Sequence, residues 1–254
     1  MAAPLVTLIV GLATWQTACT LHWSAVLPAP AAVGRDIADA WVSGTLGPAL
    51  LHSLRRCLLS FLCSVGVGMP VALLLFRFTV LRRAVGPVLG AIQSLPAAAL
   101  VPAAVICFGA SESAVYCVAL LGAVPSIAVG IVSALDQVPP LFVRAGRSMG
   151  ATRLTLARRI LFPAAMPGVV AALKQGWTFG WRALMTAELI TSTLPGIGQL
   201  LDTGRRTGNL SLTLAVTFVI LAVGVAAEAV VFRPIERRVL RRRGLPVAEG
   251  PNGR

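Results

Sequence analysis

The chain has 254 residues, 57% hydrophobic and 12% charged, with a mean hydropathy of +0.84 and a formal net charge of +13. An ordinary soluble domain carries about 25% charged residues, so this composition marks a membrane protein. At about 20 apolar residues per crossing the chain has room for roughly five to seven crossings, and a large soluble domain does not fit beside them.

In chain order, nearly charge-free runs cover 4–23, 56–76, 84–108, 113–135, 164–188 and 209–232. Their lengths suit helices, and none keeps the two-residue alternation of a lipid-facing barrel strand. The expectation is an all-α polytopic protein with about six transmembrane helices. The N-terminus lacks the basic start of a secretory signal, so 4–23 reads as a retained first helix. A lipobox at Cys19 would need Leu where Gln16 stands. Cys19, Cys57, Cys63, Cys107 and Cys117 lie in or beside apolar runs in no metal-like spacing, and read as buried, unpaired thiols.

Arginine placement gives the orientation. With the N-terminus cytoplasmic, the inner segments hold Arg77, Arg82 and Arg83, then Arg144, Arg147, Arg153, Arg158 and Arg159, then seven arginines of the tail 233–254. The outer segments keep Arg35, Arg55, Arg56, Arg205 and Arg206, so 15 face 5 and both termini are expected on the inside. The basic tail suits topology and anionic lipid, since no aromatic residue interleaves the charges of 237–243 as nucleic-acid binding would favour.

The inner segment 136–163 has the punctuation of two short helices. Pro139 and Pro140 suit a start, Gly150 an end, Thr152 a cap, and Pro163 and Pro167 the first turn of the next span. Leu141, Ala145 and Ser148 or Met149 share one face, with Gly146 and Gly150 small enough for another surface to approach.

In the run 164–188, Lys174, Arg182 and Glu188 each need a destination away from lipid. At about 100° per residue from Lys174, Trp177, Trp181 and Glu188 fall at about 300°, 340° and 320°, one stripe with the lysine. Gly176, Gly180, Ala183 and Ala187 form a second stripe for close helix approach. The first stripe is the expected translocation path, with Arg182 beside it, at about 80°, directed to an adjacent helix or the solute.

Within 136–163, Arg144-Ala145-Gly146, then Gly150, then Ile160-Leu161-Phe162-Pro163 resemble the inside-loop pattern of ABC importer membrane subunits: Glu-Ala-Ala, three residues, Gly, nine residues, Ile-x-Leu-Pro. Arg144 stands where Glu is usual and Phe162 where Leu is usual. The resemblance extends through Leu27–Val33, His52-Ser53-Leu54-Arg55-Arg56, Pro96 with Pro102 and Phe108-Gly109, Glu112-Ser113-Ala114, Ala187-Glu188 and Gly196-Ile197-Gly198. It sharpens to the branch importing sulfonates, taurine, nitrate and bicarbonate.

That resemblance implies a type I importer permease in the bacterial plasma (inner) membrane, without catalytic or metal residues. It implies two permease copies, a homodimer by expectation, with two cytoplasmic ATPases and an external binding protein. ATPase coupling falls to Arg144, Ala145, Gly146, Ser148, Met149, Gly150, Ile160 and Pro163, and an outer gate to Pro195, Gly196 and Gly198, with Glu188, which matches the family's Ala-Glu pair at the outer end of its span, expected to hold that loop or contact the binding protein. The chain's one lysine, Lys174, follows Leu173, so no G-x-x-x-x-G-K-[ST] loop is present and ATP with Mg is expected on the partner. The solute expected is small and anionic, moved by alternating access. An ion-gradient carrier is the alternative, but no repeat relates 1–127 to 128–254. A membrane-embedded enzyme lacks a nucleophile elbow or an H-E-x-x-H motif.

Overall fold

A computed structural model describes residues 2–21, 27–191 and 194–241. The described residues form α1 (Ala2–Thr20), α2 (Pro30–Val42), α3 (Leu46–Arg77), α4 (Thr79–Ser94), α5 (Ala97–Phe108), α6 (Glu112–Asp136), α7 (Pro140–Ser148) and α8 (Arg153–Leu156). A π-helical turn, Ala157–Leu161, leads into α9 (Phe162–Thr191), followed by α10 (Ile197–Arg206) and α11 (Leu210–Ala227). A second π-helical turn, Glu228–Phe232, leads into α12 (Arg233–Arg241). The fold is all-helical among these residues. Among the described residues four helical stretches are long and apolar enough to cross a bilayer: 46–77, 112–136, 153–191 and 210–241. The pair α4 and α5 supplies a fifth if counted as one broken span.

Several boundaries differ from the sequence expectation. The run 84–108, read as one crossing, is two helices bent by 104°. Leu95 is extended (ψ 132°) because a following proline disfavours helical geometry, and Pro96 then opens α5. Next, the span expected at 56–76 begins ten residues earlier, at Leu46, so Arg55 and Arg56 lie inside a helix and not in an outer loop. Finally, the short helix expected after Thr152 does not stop before the following span. Thr152 caps it, its Oγ1 accepting from Thr155 N at 3.3 Å, but the helix runs on through the π turn to Thr191. The wider π turn precedes Pro163, which has no N–H to donate and whose ring crowds the preceding turn. Likewise α11 continues into α12, so 233–241 of the expected tail is helix; 242–254 and His22 lie outside the described residues.

Helices α6 and α9 form the centre, packed backbone to backbone through small residues. A Cβ added at Gly130 would stand 2.6 Å from Ala172 Cβ, and one at Gly176 2.3 Å from Ile127 Cγ1. Thus the small stripe of α9 does admit a neighbour, and that neighbour is α6. Helix α3 lies across both, its Gly68 against Ile127. Two apolar clusters result. One gathers Val101, Val115, Trp181, Leu184 and Ile197, the other Ala72, Leu75, Ile131 and Val169. Arg82 bridges both carboxylate oxygens of Asp136, tying the start of α4 to the end of α6. The cysteines are all free, but only Cys57 is buried; Cys63 and Cys107 are exposed on helix faces, where lipid satisfies an apolar thiol as well as a core does.

Candidate functional site

Glu188 ends the expected stripe of α9, and its side chain is fully enclosed. Its Oε1 accepts from Arg56 Nη1 at 3.1 Å, and its Oε2 from Ser53 Oγ at 2.6 Å and from Gly198 N at 3.1 Å. Arg56, 3% exposed, also donates from Nη2 to Glu112 Oε1 at 2.8 Å and from Nη1 to the Pro195 carbonyl at 2.8 Å. Ser53 Oγ in turn accepts from Ile197 N at 2.9 Å. One carboxylate and one guanidinium thereby join α3, the start of α6, the end of α9 and the turn into α10. A buried ion pair is tolerated only when its remaining donors and acceptors are met, and here they are.

The same carboxylate explains Pro195-Gly196-Ile197-Gly198. A Cβ on Gly196 would meet Glu188 Oε2 at 2.6 Å, and one on Gly198 would meet Glu188 Cβ at 2.4 Å. These glycines let the turn lie flat on Glu188. Arg56 and Ser53 were not legible as partners of Glu188, nor Glu112 as the second partner of Arg56. The sequence signal is the polar run Ser53, Arg56, Ser60 and Ser64 at spacings of three and four, one inward face of α3.

The remaining members of the stripe separate. Trp181 is 6% exposed in the core against α5 and α6. Trp177 packs edge-on to Phe61 at 5.4 Å and lies 6.2 Å from Phe232. Lys174 is neutralised by Glu228, in the π turn that presents Phe232 to Trp177. The stripe expected to line an open path is therefore covered, within one chain, by α3 and the α11–α12 junction.

Arg182 behaves in the opposite way. Of its two expected destinations, an adjacent helix or the solute, no helix partner is found: it is exposed and joins no ion pair or side-chain hydrogen bond among the described residues. Ala171, Gln175, Thr178 and Arg182 are all exposed and recur every three or four residues, one face of α9 within about 60°. A cation and two polar side chains on a helix of this length are not compatible with lipid contact.

Away from this knot, α7 begins at Pro140 and closes at Gly150, whose φ of +78° is the left-handed stop of a helix. Gly146 is buried by the chain itself, since a Cβ there would meet Ile160 Cδ1 at 2.4 Å. Gly146 and Ile160 thus fasten α7 to the π turn before Pro163, while Gly150 borders open space. Arg144, Ala145 and Ser148 are exposed, Leu141 is 69% exposed and Met149 87%. The helix therefore presents an apolar and basic outer surface on a rigid mount.

A bundle of long apolar helices with a buried ionic knot at one end and an exposed amphipathic helix at the other is that of a multi-pass permease. Residues 64–241 match the family model of the binding-protein-dependent transport system inner membrane component, and the chain belongs to that family, the membrane subunits of ABC importers. It is similar to the taurine transport system permease protein TauC of Escherichia coli K12, 28% identical over 94% of this chain and 87% of that one. It is also similar to the putative aliphatic sulfonates transport permease protein SsuC of Bacillus subtilis 168, 24% identical over 85% of this chain and 78% of that one. In fold it resembles a chain of the MetNI methionine ABC transporter in an inward-facing conformation. The TM-score is 0.65 at 22% identity, over 78% of this chain and 97% of that one.

Proposed function

We propose that the chain is the translocating subunit of an ATP-driven importer for a small anionic solute, a sulfonate such as taurine or a close relative. The single observation that carries the solute class is Arg182: a cation without a protein partner among the described residues, on a membrane-level helix face, where Lys174 of the same helix is neutralised. The names of the taurine and sulfonate relatives support the same class.

In this reading two copies of the chain face each other across the Gln175–Thr178–Arg182 face, which shields it from lipid and lines the path. Two cytoplasmic ATPases, holding ATP and Mg, dock on Leu141, Ala145, Ser148 and Met149 of α7, with both chain termini on that side. An extracytoplasmic binding protein delivers the solute near α10. ATP-driven closure pushes α7, and because Gly146 and Ile160 fasten it to the continuous helix 153–191, the push reaches α9 as a rigid displacement. The knot at Glu188 moves as one body with the turn at Pro195, Gly196 and Gly198, which makes that turn the outer gate.

The test is uptake of radiolabelled taurine by proteoliposomes holding the permease, its ATPase and its binding protein. Uptake should require ATP, and Arg182→Gln should lower it about tenfold or more, the loss expected for a hydrogen bond to a charged group. Equal uptake without ATP points to a gradient-driven carrier, and unchanged uptake by the variant removes Arg182 from the path.

A further inference from the structure

Beside the exposed face of α9, α4, α6 and α9 enclose an open cleft of about 350 Å³, within the range of about 300–1,000 Å³ usual for small-molecule sites. Its polar lining comes from Gln93 of α4, Ser126 and Ser133 of α6, Gln137 just after α6, and Gln175 of α9. Among the described residues none of its lining side chains is charged. Gly130 and Gly168 also border it, and each already sits so close to the facing helix that a side chain there would meet an alanine.

Two lining atoms are anomalous. Ser126 is 1% exposed, yet its hydroxyl has no hydrogen-bond partner among the described residues, and neither has the buried Gln93 Nε2. Three other buried hydroxyls, on α3 and α9, are satisfied by the carbonyl four residues earlier. Ser60 bonds Arg56 O, Ser64 bonds Ser60 O and Thr191 bonds Ala187 O. In the same cleft Gln137 donates to Ser133 Oγ at 3.0 Å. A buried donor left unmet carries a desolvation cost. Trp15 Nε1, Trp177 Nε1 and Ser211 Oγ are also unmet among the described residues but lie away from this cleft, whereas Ser126 and Gln93 both border it.

We propose that this cleft is a solute-holding subsite in which Ser126 Oγ–H and Gln93 Nε2–H donate to the oxygens of a small oxyanion, sulfonate or carboxylate. The proposal deepens the import reading and rests on it. Arg182 lies seven residues, about 10 Å, along α9 from Gln175 on the same exposed face. It attracts the charge, and the neutral donors of the cleft hold the oxygens without the tight pairing that a second cation would impose. Release then needs only the exchange of two neutral hydrogen bonds for water. The expected stripe of Lys174, Trp177 and Trp181 plays no part in this contact.

The test uses the assembled complex with ATPase and binding protein in proteoliposomes, with taurine as the probe. Gln93→Leu and Ser126→Ala should each raise the apparent KM for taurine about tenfold, while the exposed control His52→Gln keeps the wild-type value. Wild-type KM in both cleft variants overturns the subsite. A second arm needs no transported solute. Ser133→Cys, in a chain whose five native cysteines are serine, is labelled with the anionic thiol reagent methanethiosulfonate ethylsulfonate. Labelling should be at least about tenfold slower with ATP and vanadate than without nucleotide, as alternating access requires. Equal labelling rates overturn the cleft. Gated labelling without taurine uptake by the wild type removes the sulfonate import reading and keeps the cleft as a path. Ungated labelling with normal uptake removes the cleft and keeps the import reading.

Discussion

Arg56 Nη1 lies 3.1 Å from Glu188 Oε1, and the two residues come from helices separated by 132 positions in sequence. Neither charge is open to solvent, and Arg56 is the cation that meets Glu188, while Arg56 itself is shared with Glu112. The pair is the clamp on which the Pro195–Gly198 turn rests.

Removing Arg56 leaves the enclosed Glu188 carboxylate with no cation among the described residues, whereas removing Glu188 leaves Arg56 still paired with Glu112. Arg56→Met should therefore lower the stability of the purified protein by about 3–5 kcal/mol, the usual cost of stranding a buried partner, and Glu188→Ala by less. Arg56→Met/Glu188→Met should recover part of the loss, with Glu112 left near the surface. Thermal unfolding in detergent measures both. Gly198→Ala should also destabilise, by about 1–3 kcal/mol, because its Cβ would stand 2.4 Å from Glu188 Cβ. A Gly198→Ala protein as stable as the parent would mean that the turn does not lie on Glu188.

Lys174 and Glu228 make a second pair, half-buried where the π turn meets α9. Lys174→Met should impair assembly or uptake by stranding Glu228, and the exchange Lys174→Glu/Glu228→Lys should restore it. Membrane yield and taurine uptake report the outcome. If Lys174→Met alone behaves as wild type, the pair is dispensable; if the exchange fails to rescue a damaged single variant, the two side chains do more than neutralise each other.

For α7 the structure separates two roles that the sequence joined. Met149→Glu changes only an exposed side chain, 87% accessible, and should abolish stimulation of the partner ATPase while the permease still inserts. Gly146→Val would drive a branched side chain into Ile160 and should tilt the helix, so that coupling falls although the outer surface is unchanged. Gly150→Ala meets no atom but forces φ of +78° on a residue with a Cβ, so a modest loss of about 1 kcal/mol is expected. ATPase assays of the complex with and without each substitution distinguish docking from mounting. Full ATPase stimulation by Met149→Glu would move the contact elsewhere.

Much of α6, α7 and α9 was legible because local chemistry fixes it. Uninterrupted apolar runs demand helices, Pro140 and Gly150 start and stop one, and the Gly/Ala stripe of α9 announces a close neighbour. The broken pair α4–α5 was also written in Leu95-Pro96, but an apolar run hides a bend when only hydropathy is followed. The ionic partners were not legible. Lys174, Arg182 and Glu188 differ little in sequence, all being charges in one apolar run, and a helical wheel assigns a direction without saying what stands there.

By itself the sequence determined a multi-helix membrane protein with an exposed amphipathic elbow, since burial of backbone groups in lipid leaves few alternatives and the punctuation residues act within a turn of themselves. Only the tertiary structure decided which charges are spent on the fold and which remain. Charge pairing depends on residues brought together across 54 to 132 positions, as Lys174 is by Glu228 and Glu188 by Arg56, and distance in space is set by helix packing rather than by any local pattern. Arg182 stands apart because that packing leaves its side of α9 uncovered.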